Sequence, residues 1–303
     1  MRDVSGKPNS LRTATAEATL TCAEATLARL RSGDVPKADP LAVARVAGIQ
    51  AAKNTSLLIP YCHQVPLDHA AVEITPGERS LHIRASARAI WKTGVEMEAL
   101  TAAAAAALTL YDMLKIIDDT MEIQAVRLTG KTGGKSDFRA PSGEIAAGVL
   151  VLSDSTARGT RKDTSGAAIR TRLESLGVRC GEFLVLPDEK EKIAAELRRL
   201  ADAGALDLLI TTGGTGVGPR DTAPEATLAV IERALPGVAE ALRAHGQERN
   251  RYAMLSRAVA GVRGRTLIVN LPGSARAVEE SLDLLLPWIL HALDVLRGGG
   301  HPS

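Results

Sequence analysis

Residues 99–110 are almost entirely alanine, leucine and threonine, and this stretch constrains the fold of the first half of the chain. Alanine has the highest helix propensity, and its small side chain lets neighbouring backbones approach closely. We therefore expect a buried helix that opens within residues 92–98 and ends within residues 111–115. Thr93 and Glu96 have the spacing of a capping box, which predicts that the helix starts there and gives Glu96 a sufficient structural role.

Charged residues lie at both ends of this predicted helix. Glu98 lies near its start, whereas Asp112 and Lys115 lie near its end. Buried charges without partners are costly, so other groups must meet them. Glu98 and Asp112 are separated by about 21 Å in a straight helix, too far for one small site. Either each chain carries two sites, or a second subunit brings the other end of its own helix to a shared site.

The polar residues of this half admit structural and functional interpretations. Asp112 and Lys115 share a helix face, either as a simple ion pair or as an acid/base pair whose lysine pKa is tuned by burial. His63 lies in a polar cluster after an apolar run, which favours a site role more than an isolated position would. Lys37 and Lys53 are surface lysines by default.

Hydrophobic periodicity predicts the remaining elements of the first half. Asp39 is the expected N-cap of a helix through Lys53, with proline at its first position. The predicted strands are residues 13–22, 71–75, 81–87 and 121–128. This pattern indicates an α+β fold, a ferredoxin-like antiparallel sheet with helices on one face.

From Gly148 onwards, short apolar strands alternate with amphipathic helices. The predicted strands are residues 148–152, 180–186, 206–211 and 266–270, and the predicted helices are residues 163–176, 189–203 and a helix from residue 275. This alternation predicts an α/β doubly wound, mainly parallel sheet, with ligands beyond the carboxyl ends of its strands. We place the first domain at residues 1–139, a linker at 140–147 and the second domain at 148–303.

The polar and glycine-rich segments of the second half follow the predicted strands. The loop Thr212-Gly213-Gly214-Thr215-Gly216 is either a tight turn or a phosphate-binding loop, and its adjacent glycines favour phosphate or nucleotide binding. Asp188 and Asp221 are either helix-entry residues, since Thr222 and Glu225 form another capping box, or a pair that holds Mg²⁺ on nucleotide phosphates. The candidate nucleotide- or pterin-binding residues are Ser153, Asp154, Gly213, Gly214, Thr215, Gly216, Pro272, Gly273 and Ser274.

The segment Lys131-Thr132-Gly133-Gly134-Lys135-Ser136 resembles a phosphate loop but lacks its first glycine, because Thr129 occupies that position. A P-loop is therefore excluded. The segment is either a basic tail that closes over an anionic substrate or a flexible exit to a linker.

Composition excludes several classes of protein. A formal net charge of +2 and 2% aromatic residues argue against a nucleic-acid partner. The three cysteines have no metal or disulfide spacing, which suits a reducing cytoplasm. The chain begins without an apolar signal core, and the apolar run at residues 282–296 is interrupted by charge and proline, so we expect no membrane span.

Four motifs of the first half together resemble the MoaC family of cyclic pyranopterin monophosphate synthases, from Asp3 to about Phe138. They are residues 44–53, Ile59-Pro60-Tyr61-Cys62-His63, residues 92–102 and residues 131–136. Gln64 occupies a position where the family usually has proline.

The resemblance implies conversion of a cyclised dihydroguanosine triphosphate into cyclic pyranopterin monophosphate with loss of pyrophosphate, without a cofactor. It also implies hexamers whose sites lie between subunits. The implied catalytic residues are Lys37, Asp112, Lys115 and Lys131, and the implied substrate-binding residues are Lys53, Tyr61, Cys62, His63, Glu96, Met97 and Glu98. A purely structural oligomerisation core is the alternative for this half.

Residues 148–298 resemble the MogA/MoaB family through the glycine loop, Arg220-Asp221, Pro187-Asp188-Glu189 and Leu271-Pro272-Gly273-Ser274. The resemblance implies transfer of AMP from Mg²⁺-ATP to molybdopterin, with Asp188 and Asp221 at the key acidic positions. The alternative is a domain that binds pterin without adenylylating it. Small-molecule substrates and a homo-oligomer based on hexamers or trimers are the implied partners.

Overall fold

The computed structural model describes residues 1–37, 39–134 and 143–299. The chain forms two compact units, residues 1–138 and residues 139–303, and each is described by itself. The first residues of the expected linker lie outside the described residues. Its last two residues already belong to the first strand of the second unit, which begins at Ala146.

The first unit contains a four-stranded antiparallel sheet in the order β2-β3-β1-β4. Its strands are β1 (Ser10–Thr21), β2 (His69–Pro76), β3 (Ser80–Trp91) and β4 (Glu122–Thr132). Alternate residues of β1 and β3 are buried, as the period-two pattern predicts. All four strands were predicted. They extend beyond their predicted ends because pairing with a neighbour continues where the hydrophobic alternation fades.

Helices cover one face of this sheet. They are α1 (Glu24–Ser32), α2 (Pro40–Lys53), the single turn α3 (Thr55–Leu58) and α4 (Glu96–Leu114). The predicted N-cap of α2 is confirmed, since Asp39 accepts hydrogen bonds from the first backbone N–H groups of the helix. Gly48 lets α2 approach α4, because a Cβ atom there would lie 2.9 Å from the carbonyl oxygen of Ala102. The helices α1 and α3 were not predicted.

The predicted burial of the alanine-rich helix is confirmed. Ala99, Ala102, Ala103, Ala106 and Ala107 are each at most 2% exposed and pack into the core with the buried faces of β1 and β3. By length and composition α4 could cross a membrane, but half of that stretch is buried inside the first unit. The helix is therefore the core helix of this unit.

The predicted capping box at the start of α4 is wrong. The helix begins at Glu96, and its N-cap is Val95, which makes no side-chain capping hydrogen bond. The Glu96 carboxylate instead bends over Gly94, where a Cβ atom would lie 1.9 Å from Oε2. Glu96 is therefore turned away from the free backbone N–H groups of the helix and is available to another partner.

The second unit contains a six-stranded sheet in the order β6-β5-β7-β10-β9-β8. Its strands are β5 (Ala146–Leu152), β6 (Arg179–Leu186), β7 (Leu208–Thr212), β8 (Arg233–Ala234), β9 (Ala260–Arg263) and β10 (Thr266–Leu271). The pairs β5·β6, β5·β7 and β7·β10 are parallel, whereas β9 and β8 continue the sheet in antiparallel pairs. The predicted mainly parallel sheet is confirmed, and β8 and β9 were missed.

The helices of the second unit are α5 (Asp154–Ala157), α6 (Ser165–Glu174), α7 (Lys190–Asp202), α8 (Ala223–Leu228), α9 (Pro236–Gln247) and α10 (Ala275–Leu296), with a 3₁₀ helix at Arg251–Leu255. The second predicted capping box is also wrong. Thr222 precedes α8 with ψ of 3°, outside the extended region that an N-cap side chain needs, and it caps nothing. Ser153 and Ser274 do cap α5 and α10.

Candidate functional sites

A charged cluster lies at the C-terminal end of α4. The Lys37 ammonium is 2.8 Å from one carboxylate oxygen of Asp112, and the Lys115 ammonium is 2.7 Å from the other. Lys37 also donates to the backbone carbonyl of Asp112 at 3.1 Å. Because Lys37 lies in the loop before α2, the cluster joins two segments that are distant in sequence.

The two lysines stabilise the ionised form of Asp112. Hydrogen bonding to Lys115, followed by that to Lys37, lowers the pKa of Asp112 to about 2. The same pairing raises the pKa of Lys115. The hypothesis that burial tunes the pKa of this lysine is wrong for the single chain, because its side chain is 53% exposed and its pKa moves upward.

A second cluster lies at the N-terminal end of α4, around Glu98. Glu98 is only 2% exposed, and its Oε1 atom accepts from the Cys62 thiol at 3.8 Å. Its Oε2 atom has no partner among the described residues. Burial raises the pKa of Glu98, and burial together with Glu98 raises that of Cys62. A buried carboxyl group with a raised pKa is suited to hold or donate a proton.

The other predicted residues of the first unit have contacts or exposure of their own. Lys131 on β4 lies 3.3 Å from Glu96, so the carboxylate that was expected to cap the helix forms an ion pair instead. The His63 ring lies 2.8 Å from the backbone carbonyl of Arg2. Tyr61 and Met97 are exposed apolar residues. Lys53 is exposed at the end of α2.

The end of β4 turns sharply against the beginning of β1. Gly133 and Gly134 have φ values of +100° and +77°, and a Cβ atom on Gly133 would lie 2.2 Å from the carbonyl oxygen of Leu11. This close approach explains the two glycines after Lys131. Lys135 and Ser136, the rest of the predicted basic tail, lie outside the described residues.

In the single chain, the two clusters occupy opposite ends of α4. The helix is continuous from Glu96 to Leu114, so the separation of about 21 Å between the positions of Glu98 and Asp112 holds. One chain therefore does not bring all of the predicted catalytic and substrate-binding residues together.

In the second unit, acidic residues follow neighbouring strands β5 and β6. The backbone N–H of Asp154 donates to the Asp188 carboxylate at 3.0 Å, and that of Asp188 donates to Asp154 at 3.1 Å. Arg220 binds Asp154 with two hydrogen bonds of 2.8 and 3.0 Å, which lower the pKa of that carboxyl. Asp188 remains without an arginine partner among the described residues, and burial raises its pKa.

The glycine loop after β7 passes close to two other strand ends. Gly213 has a φ of +98°, and a Cβ atom there would lie 2.2 Å from the carbonyl oxygen of Leu152 at the end of β5. A Cβ atom on Gly273 would lie 3.2 Å from the Cα atom of Gly213. Glycine is required because three strand ends converge at the carboxyl edge of the sheet.

Arg257, which sequence reasoning missed, fixes the second part of this loop. Its Nε atom donates to the carbonyl of Gly216 at 2.7 Å, and its Nη2 atom donates to that of Asp221 at 2.5 Å. It also pairs with Glu225. The backbone N–H of Gly218 donates to the Asp221 carboxylate at 2.7 Å. No local motif marks Arg257, because it comes from a segment 36 residues beyond Asp221.

The predicted magnesium residues fit a metal only together with a nucleotide. Among residues 1–37, 39–134 and 143–299, no group of three or more His, Cys, Asp or Glu side chains could hold a metal. Magnesium often takes one or two protein carboxylates and completes its shell with phosphates and water. Asp188 has a buried Oδ1 atom without a described partner, and its raised pKa reflects burial first and, in part, the nearby Asp221. A cation bound there would give the Oδ1 atom a partner and would offset the negative charge of the neighbouring carboxylate.

Two cavities border the glycine loop and share Gly214, Gly273 and Ser274. One, of about 350 Å³, is lined by Ser153, Asp188 and the basic pair Arg161 and Lys162. The other, of about 380 Å³, is lined by Asp221 and by apolar groups of α9 and the 3₁₀ helix. The nine predicted nucleotide- or pterin-binding residues thus lie at one edge of the sheet, as the strand-end argument expected.

These features define a protein of two units: an α+β unit with two charged clusters, and an α/β unit with cavities at the carboxyl edge of its sheet. The MoaC family profile matches residues 1–134, and that of a probable molybdopterin binding domain matches residues 148–291. A molybdenum cofactor biosynthesis bifunctional protein of Chlorobaculum tepidum is 46% identical over 99% of this chain and 96% of its own length. The chain therefore belongs to the family of bifunctional molybdenum cofactor biosynthesis proteins.

Individual halves also match separate proteins. A cyclic pyranopterin monophosphate synthase of Nostoc sp. is 50% identical over 47% of this chain and 86% of its own length. The molybdopterin biosynthesis enzyme MoaB from Thermus thermophilus, whose crystal structure is known, is 45% identical in sequence. The match has a TM-score of 0.49 and covers 52% of this chain and 99% of that chain.

Proposed function

We propose that the chain carries two activities of molybdenum cofactor biosynthesis. The first unit converts 3',8-cyclo-dihydro-GTP to cyclic pyranopterin monophosphate with release of pyrophosphate. The second unit adenylylates molybdopterin with Mg²⁺-ATP. The observation that carries the first assignment is the Lys37–Asp112–Lys115 cluster, and the strand order of the unit supports a ferredoxin-like classification.

In the first unit, the cluster supplies positive charge at a fixed position. Asp112 holds two ammonium groups at a fixed position, where they can neutralise phosphate oxygens while the cyclic phosphate closes and pyrophosphate leaves. Asp112 raises the pKa of Lys115, so Lys115 stays protonated at neutral pH and contributes its positive charge to the site. Asp112, with a pKa of about 2, stays ionised and orients the lysines.

The second cluster provides complementary groups for the same reaction. Glu98 is buried, has a raised pKa and can exchange a proton with the substrate. Lys131 and Glu96 form the rim beside it. Since one α4 helix separates the clusters by about 21 Å, we propose that a second copy of the chain brings its Asp112 end to this Glu98 end.

Complementation between inactive variants tests this shared site. Glu98→Gln and Asp112→Asn should each abolish pyranopterin formation. In mixed oligomers, one site in four should combine an unaltered Glu98 end from one chain with an unaltered Asp112 end from another, so about a quarter of the activity should return. The chain that carries both substitutions, mixed with either single variant, is the matched control and should restore nothing. Absence of recovery in co-assembled single variants would contradict the shared site.

In the second unit, the cavity with Ser153, Arg161 and Lys162 suits nucleotide phosphates. The start of α10 and the backbone of the glycine loop add positive potential at the same edge. Asp188 and Asp221 are the residues that would hold Mg²⁺, which neutralises phosphate charge when bound. The observation that carries this assignment is the buried Oδ1 atom of Asp188 beside the loop, which has no hydrogen-bond partner among the described residues.

An adenylylation assay of the full chain tests the second activity. With molybdopterin and Mg²⁺-ATP, the chain should release pyrophosphate and form the AMP–pterin product. Asp221→Asn should abolish this transfer and leave pyranopterin formation intact, whereas Asp202→Asn, in a surface ion pair with Arg263, should change neither activity. Binding of pterin without AMP transfer would favour a carrier domain instead.

The last part of the proposal concerns the compartment, the assembly and the partners of the protein. We propose a cytoplasmic homo-oligomer that acts on small molecules and binds neither nucleic acid nor membrane. The thiols of Cys22, Cys62 and Cys180 are free, as a reducing compartment requires.

A further inference from the structure

One arginine of the second unit holds both ends of the loop that carries Asp221. Arg257 comes just after the 3₁₀ helix, and its backbone N–H donates to the carbonyl of Thr215 at 2.8 Å. Its Nε atom donates to the carbonyl of Gly216 at 2.7 Å, and its Nη2 atom donates to that of Asp221 at 2.5 Å. The backbone from residue 215 to residue 221 is therefore clamped by a single residue from a distant segment.

The carboxylate of Asp221 lies inside this clamped loop. The backbone N–H of Gly218 donates to its Oδ2 atom at 2.7 Å, and the backbone N–H of Asp221 donates to the carbonyl of Gly218 at 3.0 Å. A Cβ atom on either Gly216 or Gly218 would lie 2.8 Å from Oδ2. The loop backbone thus closes around the carboxylate, so the position of the carboxylate depends on the backbone that Arg257 holds.

The other oxygen of this carboxylate is available to a ligand. The Oδ1 atom of Asp221 has no hydrogen-bond partner in the described part of the chain, and it is not one of the fully buried unpaired atoms found there. Asp221 is half-buried and lines the 380 Å³ cavity. Oδ1 therefore keeps accessible surface, and a carboxylate oxygen of this kind is the ligand that Mg²⁺ prefers.

Arg257 holds the loop without occupying that oxygen. Its guanidinium binds backbone carbonyls and the carboxylate of Glu225, and Arg257 lines neither of the two cavities. The carboxylate of Asp154, in contrast, is bound by Arg220 through two hydrogen bonds. A guanidinium is a rigid fork whose donors fix two acceptors at a set separation, which the single ammonium group of a lysine does not reproduce.

We propose that Arg257 is a positioning residue of the second unit. By holding the carbonyls of Gly216 and Asp221, it fixes the Asp221 carboxylate for binding Mg²⁺ together with nucleotide phosphates. This inference rests on the proposed Mg²⁺-ATP chemistry of that unit. Groups that hold a metal ligand in place commonly determine metal affinity although they do not touch the metal.

Arg257→Lys in the full chain tests this role, because it keeps the positive charge and removes the fork. We expect a roughly 10- to 100-fold rise in the Mg²⁺ concentration that gives half-maximal AMP transfer, and excess Mg²⁺ should restore most of kcat. Arg263→Lys is the matched control, since Arg263 also binds a carboxylate, that of Asp202, and a backbone carbonyl, that of Val230. It should leave the Mg²⁺ requirement unchanged, even where its Tm falls as much as that of Arg257→Lys.

ATP binding without turnover provides a second measurement. Calorimetry of the full chain without molybdopterin compares ATP affinity in Mg²⁺ with that in EDTA. The unaltered chain should bind ATP more tightly in Mg²⁺, and Arg257→Lys should lose most of this gain while its affinity in EDTA stays the same. Glu225→Gln weakens the ion pair that orients Arg257 and should reduce the gain in the same direction, so it carries the test should Arg257→Lys fail to fold.

The outcomes separate this inference from the proposed function. An equal Mg²⁺ gain in the unaltered chain and in the variants of Arg257 and Glu225 would refute the positioning role. Equal losses of ATP affinity in Mg²⁺ and in EDTA would show that Arg257 only supports the fold, and would also refute it. A Mg²⁺ gain without AMP transfer by the unaltered chain would overturn the adenylyltransferase assignment and leave this inference standing. No Mg²⁺ gain in the unaltered chain would overturn the metal assignment and this inference together.

Discussion

Gly213 offers the sharpest test of how the fold builds the proposed nucleotide site. In Gly213→Ala, the new Cβ atom would lie 2.2 Å from the carbonyl oxygen of Leu152. The loop cannot easily move away, because the backbone N–H of Gly213 donates to the carbonyl of Leu271 on the other side. The substitution therefore strains the convergence of three strand ends.

The expected loss in the free energy of unfolding of Gly213→Ala is the sum of two costs. A φ of +98° costs a residue with a Cβ atom about 1–2 kcal/mol, and overpacking against a fixed group adds about 1–3 kcal/mol. Gly204→Ala is the matched control, since Gly204 has a φ of +67° in the same unit and nothing within 4 Å of the added Cβ atom. It should carry only the first cost. We expect a total of about 2–5 kcal/mol for Gly213→Ala.

Scanning calorimetry of the full chain measures both variants. At this domain size, 1 kcal/mol lowers Tm by about 2–4 °C, so Gly213→Ala should shift the unfolding of the second unit by roughly 4–20 °C. The Gly204→Ala shift identifies the transition of that unit, and pyranopterin formation by the first unit should stay unchanged in both. Equal Tm shifts for the two variants would refute the claim that the carbonyl of Leu152 excludes a side chain.

Three further perturbations test individual contacts. The carboxyl of Asp112 has a folded-state pKa of about 2, below its unfolded value of about 3.9. Its contribution to stability is therefore present above pH 4 and lost towards pH 2, and the difference in urea midpoint between Asp112→Asn and the unaltered chain should vanish over that range. Asp207→Ala removes a buried carboxylate that accepts from the backbone N–H of Ala146 and from two partly exposed arginines; it should cost about 1–3 kcal/mol in urea unfolding, whereas Asp202→Ala in an exposed pair should cost at most about 1 kcal/mol. Gly94→Ala should displace the carboxylate that pairs with Lys131 and raise the KM of the first unit without changing its Tm; an unchanged KM would contradict that pairing's role.

The regular elements were predictable because hydrophobic periodicity reports which faces are buried. The alternating residues of β1 and β3 and the alanine run of α4 carry this signal clearly. The helices α1 and α9 were missed because each buries only two residues, too few to impose a helical period on the sequence. Both capping boxes failed because their carboxylates bind distant basic groups, which local spacing cannot reveal.

The candidate sites were predictable to different degrees. In the second unit, ligand groups follow parallel strands, so the topology places them at one edge of the sheet. In the first unit, Lys37 and Asp112 are 75 residues apart, and only the family resemblance joined them before the structure did. Arg257 was missed because its partners Gly216 and Asp221 lie 41 and 36 residues before it in the chain.

The exposed side chains of α4 support a shared site in the first unit. Leu108 lies one helical turn before Asp112 and is 61% exposed, and Ile116, in the turn that follows α4, is 62% exposed. Large apolar residues at such positions are typical of a surface that another subunit covers. The Lys37–Asp112–Lys115 cluster carries an excess of one positive charge, and the Glu98 end holds a buried carboxyl oxygen that has no partner in the described part of the chain. A second copy that covers Leu108 and Ile116 would bring an electropositive end towards an acidic one, which a single rigid helix cannot do for itself.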